Sequence, residues 1–154
     1  MANEQIKARG NGAQNDKDSI LVEAKKLLAV LHAALPNIPK VHRQLSAYSH
    51  MVHAALTLIE EFHLAREYKE DRVLHQKRMI AQYAVISAML EECDSLGYIT
   101  KSDELKICEI LDRMDEGIRR WKSATLSPKN QEREEVIRNG YPAPDRVSRQ
   151  VLFG

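Results

Sequence analysis

Two apolar stripes on either side of a single glycine constrain this chain more than any other feature. From Val73 the apolar positions are Val73, Ile80, Tyr83, Ile86, Leu90, Cys93 and Leu96. Their three-and-four spacing places them on one face of a helix. Gly97 follows at the position where a helix commonly ends in a left-handed residue. Thr100 then offers an N-cap, with Asp103 at its third helical position. A second stripe begins at once with Leu105, Cys108, Leu111, Met114, Ile118 and Trp121. Two helices joined so tightly are expected to lie antiparallel and to bury their stripes against each other. Such a hairpin still needs further helices to cover it.

The sequence before Arg72 supplies two. A first helix is expected from Asp16 to Leu35, with Ile20, Leu21, Ala24, Leu27, Leu28, Leu31 and Leu35 on its apolar side. Pro36 and Pro39 end it, since proline lacks the ladder donor and disfavours helix in the residue before it. A second helix is expected from Lys40 or Val41 to Tyr68, through Leu45, Tyr48, Val52, Leu56, Ile59 and Phe62. The polar run Lys69-Glu70-Asp71-Arg72 is read as the turn into the third helix, although it contains no Gly or Pro. One continuous helix from 41 to 96 is the alternative. The expected architecture is therefore all-α: an antiparallel up-down-up-down four-helix bundle over 16–122, with a flexible tail over 1–15 and an extension over 123–154. That extension contains three prolines, an Asn139-Gly140 turn signal and one short helical stretch from Lys129 to Arg138. Val147, Val151, Leu152 and Phe153 near its end are candidates for docking on a partner.

Composition narrows the function classes. The chain has 23 Lys and Arg against 22 Asp and Glu, so net charge makes no case for nucleic acid and only the placement of charges can. No apolar run approaches the roughly 18 residues of a membrane span, and a soluble cytoplasmic protein is expected. Cys93 and Cys108 read as two buried thiols on adjacent core-facing stripes. No phosphate-binding Gly-rich loop, zinc-ligand spacing or nucleophile elbow is present. His50 and His53 have helical spacing but no acidic neighbour one turn away. Glu60 and His63 form one Glu-x-x-His pair where a di-metal bundle requires two. No catalytic residue, metal or cofactor is expected.

In an up-down bundle the end of the second and fourth helices meets the start of the first and third. That would gather Lys25, Lys26, Arg66, Lys69, Arg72, Lys77, Arg78, Arg119, Arg120 and Lys122 toward one end, a candidate phosphate-binding surface. Glu67, Glu70, Asp71, Asp115 and Glu116 lie among them. Mixed charge that only solvates helix surfaces is the alternative.

Three segments carry a resemblance: Pro39-Lys40-Val41-His42-Arg43, the run from Met89 to Ile99 through Leu96-Gly97-Tyr98, and Glu109 to Met114 followed by Gly117 and Trp121-Lys122. Over about residues 18–124 the chain resembles the four-helix-bundle superfamily that includes two kinds of protein. One is the accessory variability determinant of diversity-generating retroelements, the other the protein encoded by intervening sequences in 23S ribosomal RNA genes. The resemblance implies a non-enzymatic homopentamer that binds a reverse transcriptase and its template RNA, and its cDNA as well, to support mutagenic cDNA synthesis. By position, Lys40 and Arg43 match the family's basic pair after the proline, and Arg113 matches the arginine of its fourth-helix motif. Lys77, Arg78, Arg119, Arg120 and Lys122 enter the candidate nucleic-acid surface on the charge argument alone. A helical scaffold with no nucleic-acid role is the rival function.

Overall fold

The computed structural model of the chain describes residues 12–44 and 46–139. It is all-helical over those residues, with four long helices and a shorter fifth: α1 (Gly12–Ala34), α2 (Ala47–Glu67), α3 (Arg72–Ser95), α4 (Lys101–Thr125) and α5 (Pro128–Asn139). Short 3-10 turns at Leu35–Asn37, Lys40–His42 and Lys69–Asp71 occupy the connections.

The turn between α3 and α4 forms as its sequence requires. Among the described residues, Gly97 is the one with positive φ, at 72°. Its N–H donates to the Asp94 carbonyl at 3.1 Å and the Tyr98 N–H donates to the Cys93 carbonyl at 3.0 Å, which together satisfy the last carbonyls of α3. Thr100 caps α4 by accepting the Asp103 N–H at 3.2 Å. The break between α2 and α3 also forms, and a side chain caps it. Tyr68 leaves the helix at φ −102°, ψ 88°, and Arg72 folds back so that Nε donates to the Ala65 carbonyl at 2.8 Å. An arginine thus fills the place that glycine fills at Gly97, capping carbonyls that would otherwise lack partners.

Several boundaries differ from the sequence reading. α1 begins at Gly12 rather than Asp16, so the expected tail over 1–15 includes four helical residues; residues 1–11 lie outside the described set. The second helix begins at Ala47 and not at Lys40 or Val41. Pro39 starts a 3-10 turn there, and only at Ser46, an extended N-cap, does the α-helix begin. α4 continues to Thr125, past the expected end at Lys122. α5 matches the short helix expected from Lys129 to Arg138. Val147, Val151, Leu152 and Phe153 lie outside the described residues, as does Leu45.

The core runs through all four long helices. Leu27 and Leu31 of α1, Met51, Leu58 and Phe62 of α2, Met79 and Ile86 of α3, and Ile107, Met114 and Ile118 of α4 are fully buried. The most extensive contacts are between α2 and α3, then between α1 and α4, and the α1–α2 seam is thinner. The stripe of the fourth helix was misread at its start. Leu105 is 66% exposed and Cys108 is exposed, whereas Ile107 and Ile110 are buried. Both patterns fit a helical period, and the choice between them depends on which neighbour covers the first turn. Leu56 and Leu96, expected inside, are likewise about half exposed, at 51% and 50%. Among the described residues, no helix is long and apolar enough to cross a membrane.

Candidate nucleic-acid interface

Side chains from three helices meet where α2 passes into α3. The Phe62 and Trp121 rings lie 5.6 Å apart, and the Arg72 guanidinium sits 5.7 Å from the Trp121 ring centroid, within cation–π range. One turn further on, buried Gln76 donates through Nε2 to the Thr125 hydroxyl at 3.0 Å. Thr125 in turn donates to the Trp121 carbonyl at 2.9 Å. These contacts set the last turns of α4 beside the α2–α3 junction. Lys69 thus lies beside the end of α4 at Thr125, whereas Arg119 and Arg120 line a separate depression along α4. A cleft of about 370 Å³ opens at the α2–α3 junction, with Lys69 and Glu70 on one side and Gln131 and Glu135 of α5 on the other.

Lys40 and Arg43 lie elsewhere. His42 between them approaches the Tyr98 ring at 6.1 Å, at the far end of α3, whose 24 residues span about 36 Å at 1.5 Å per residue. Arg43 is turned inward, donating from Nε to the Ile38 carbonyl at 3.0 Å. The eight candidate residues thus form two groups at opposite ends of α3, with Arg113 between them.

Carboxylates already engage several of these cations. Arg119 Nε lies 2.9 Å from Asp115 Oδ1, and Arg120 pairs with Glu116. Both pairs have helical i,i+4 spacing with the acid first, the favourable order. Arg113 Nε is 3.1 Å from Glu23 Oε2, and Arg78 is 3.8 Å from Glu61. Among the described residues, Lys40, Lys77 and Lys122 make no ion pair. The shallow depression of about 610 Å³ along α4, lined by Asp112, Asp115, Glu116, Arg119, Arg120 and Ser123, is correspondingly of mixed charge.

Three polar groups escaped the sequence reading. Glu23 is 5% exposed, accepts a hydrogen bond from Lys26 through Oε1 and forms an ion pair with Arg113 through Oε2. His75 is 8% exposed, and its Nδ1 donates to the Glu61 carboxylate at 2.5 Å. Gln76 is fully buried, with Oε1 unpartnered. A signal for them was present: Glu23 follows Ile20 by three, Gln76 precedes Met79 by three, and Glu61 lies between Leu58 and Ala65 at helical spacing. His50, His53, Glu60 and His63 are exposed. Among the described residues, no three His, Cys, Asp or Glu side chains come together as metal ligands.

The two thiols differ in chemistry. Burial, with a smaller contribution from the charge of Glu92, pushes the Cys93 thiol up to about 11. Cys108 is raised too, first by partial burial and then by Glu104 and Asp112. Burial also raises the Tyr48 phenol, against the opposing charge of Arg43; its hydroxyl donates to the Leu31 carbonyl at 2.8 Å and ties α2 to α1. No family model matches the chain, and comparison with curated proteins and with solved structures finds no match.

Proposed function

We propose that the chain is a non-enzymatic RNA-binding accessory protein, an up-down-up-down bundle whose partner is a reverse transcriptase with its template RNA, as in diversity-generating retroelements. One observation supports this most: Arg72 packs on Trp121, so the α2–α3 junction with Lys69 adjoins the end of α4. Cations gathered from separate helices can follow a phosphate backbone, and each phosphate neutralised releases counterions. Lys69, Lys77 and Lys122 are the strongest candidates, since among the described residues no carboxylate holds them. Arg119 and Arg120 must exchange Asp115 and Glu116 for phosphate, so each contributes less. Lys40 and Arg43 form a second, smaller contact at the Tyr98 end.

Charge reversal tests the reading. Changing Lys69 and Lys122 together to Glu should weaken RNA binding by at least tenfold, with helicity by circular dichroism unchanged. Binding that survives the reversal would locate the interface elsewhere. The rival, a protein-interaction scaffold, is favoured by the neutralisation of Arg113, Arg119 and Arg120 within the chain. It predicts no RNA binding at any salt concentration.

A further inference from the structure

The described Phe, Trp and Tyr side chains divide sharply by exposure. Phe62, Trp121, Tyr48 and Tyr98 are buried, and Tyr83 packs against the core. Tyr68 alone stands out, 56% exposed at the point where α2 ends. Among the described residues its hydroxyl has no hydrogen-bond partner, and its ring meets no other ring and no cation. The backbone beneath that ring is nonetheless held. The Tyr68 N–H donates to the Leu64 carbonyl at 2.9 Å and its carbonyl accepts the Asp71 N–H at 3.2 Å, while Arg72 donates to the carbonyls of Ala65 and Arg66. Arg66 and Lys69 flank Tyr68 in the chain, both exposed and neither in an ion pair among the described residues. Glu67, Glu70 and Asp71 stand among them and match Arg66, Lys69 and Arg72 in number. Charge alone therefore gives this turn a weak hold on a phosphate backbone. Its distinctive feature is a bare ring face on a fixed stem.

We infer that Tyr68 is a stacking platform for one unpaired base of single-stranded RNA, with Arg66 and Lys69 taking the phosphates on either side of that base. The inference rests on the nucleic-acid reading above and names the form of RNA that the site takes. Every base has a π-face, so a tyrosine ring accepts any of the four, and one such contact contributes a factor of about ten to a hundred in affinity. In an RNA duplex each base face is covered by its neighbours in the stack, and specific recognition falls on loops and single strands whose bases can be splayed out. Tyr68 can therefore meet a base only where the strand is unpaired. A duplex sets two phosphate chains close together and gains most from a strongly basic surface; the three acids beside Tyr68 deny it that surface here. Because the turn is already held by its own hydrogen bonds, little ordering remains to be done when RNA arrives. Every part of the site belongs to one chain, so each copy in an assembly that leaves the junction open carries it.

The test is the affinity of the full chain for a single-stranded oligoadenylate about ten nucleotides long and for an RNA duplex of the same length. Tyr68→Ala should weaken oligoadenylate binding about ten- to a hundredfold, by the same factor at 50 and at 200 mM salt, because stacking releases no counterions. Tyr68→Phe keeps the ring face and should bind as the parent chain does. Duplex binding should be the same in the parent and in both variants. Tyr68 is exposed, so helicity should not change. Oligoadenylate binding that Tyr68→Ala leaves intact would overturn the inference, as would a loss shared by the duplex or by Tyr68→Phe. If Tyr68→Ala has no effect while reversal of Lys69 and Lys122 abolishes binding, the platform falls and the nucleic-acid reading stands. If the parent chain binds neither RNA, both fall.

Discussion

The bond between His75 and Glu61 shows what a single residue can hide from its sequence. A histidine next to Gln76 and Lys77 reads as surface, yet the ring is 8% exposed and its Nδ1 meets a carboxylate at 2.5 Å. A carboxylate oxygen accepts, so the contact fits the tautomer with the proton on Nδ1. Removing one member of such a pair leaves a poorly solvated charge behind. His75→Ala should therefore cost about 2 kcal/mol in urea unfolding, with Arg78 covering part of the loss. Adding Glu61→Gln should restore some of that stability, because no charge is then stranded. Cysteine offers a second test at this scale. Cys93 is fully buried and its thiol is held well above neutral pH, so the thiolate that reacts is scarce. Cys108 is exposed. A thiol reagent at pH 8 should label Cys108 alone in the native protein and both residues in denaturant; fast native labelling of Cys93 would show that its burial is wrong. That the two thiols differ was not legible, since both sit at positions that fit an apolar stripe and only the neighbour across the first turn of α4 separates them.

Elements were legible in proportion to how local their causes are. The α3–α4 turn depends on Gly97, Thr100 and Asp103, residues within one stretch of chain, and it forms as the sequence implies. The α2–α3 break is capped by Arg72 reaching back to Ala65, which no turn residue announces. The start of α2 was read too early because Val41 and Leu45 keep the spacing of a helix, although a 3-10 turn forms at Lys40–His42. Gly97 allows the local cause to be isolated. A Cβ built there meets nothing within 4 Å, so Gly97→Ala adds no clash and pays only for positive φ. It should destabilise the fold by about 1 kcal/mol with the turn retained; a much larger loss would mean that the turn itself had rearranged.

For the whole molecule, much of the apolar interior was readable from period, since Leu27, Phe62, Ile86 and Ile118 come from four separate stripes and all are buried, whereas buried Leu58 lay off the stripe read for its helix. The surface was less so. Lys40 and Arg43, which the sequence reading did not count among the cations gathered at one end, stand at the Tyr98 end, and Lys69, Lys77 and Lys122 lie toward Trp121. Carboxylates four residues away already hold Arg119 and Arg120. Period narrows what lies inside a helix bundle, whereas function on its exterior depends on which cations remain able to meet a ligand. The most direct test is the salt dependence of RNA binding by the full chain. Contact with about six phosphates predicts a fall in affinity of roughly a thousandfold between 50 and 200 mM salt, and each lysine removed from the basic end should lower the slope by about one. Affinity independent of salt, or a slope that Lys69 and Lys122 do not affect, would contradict the account.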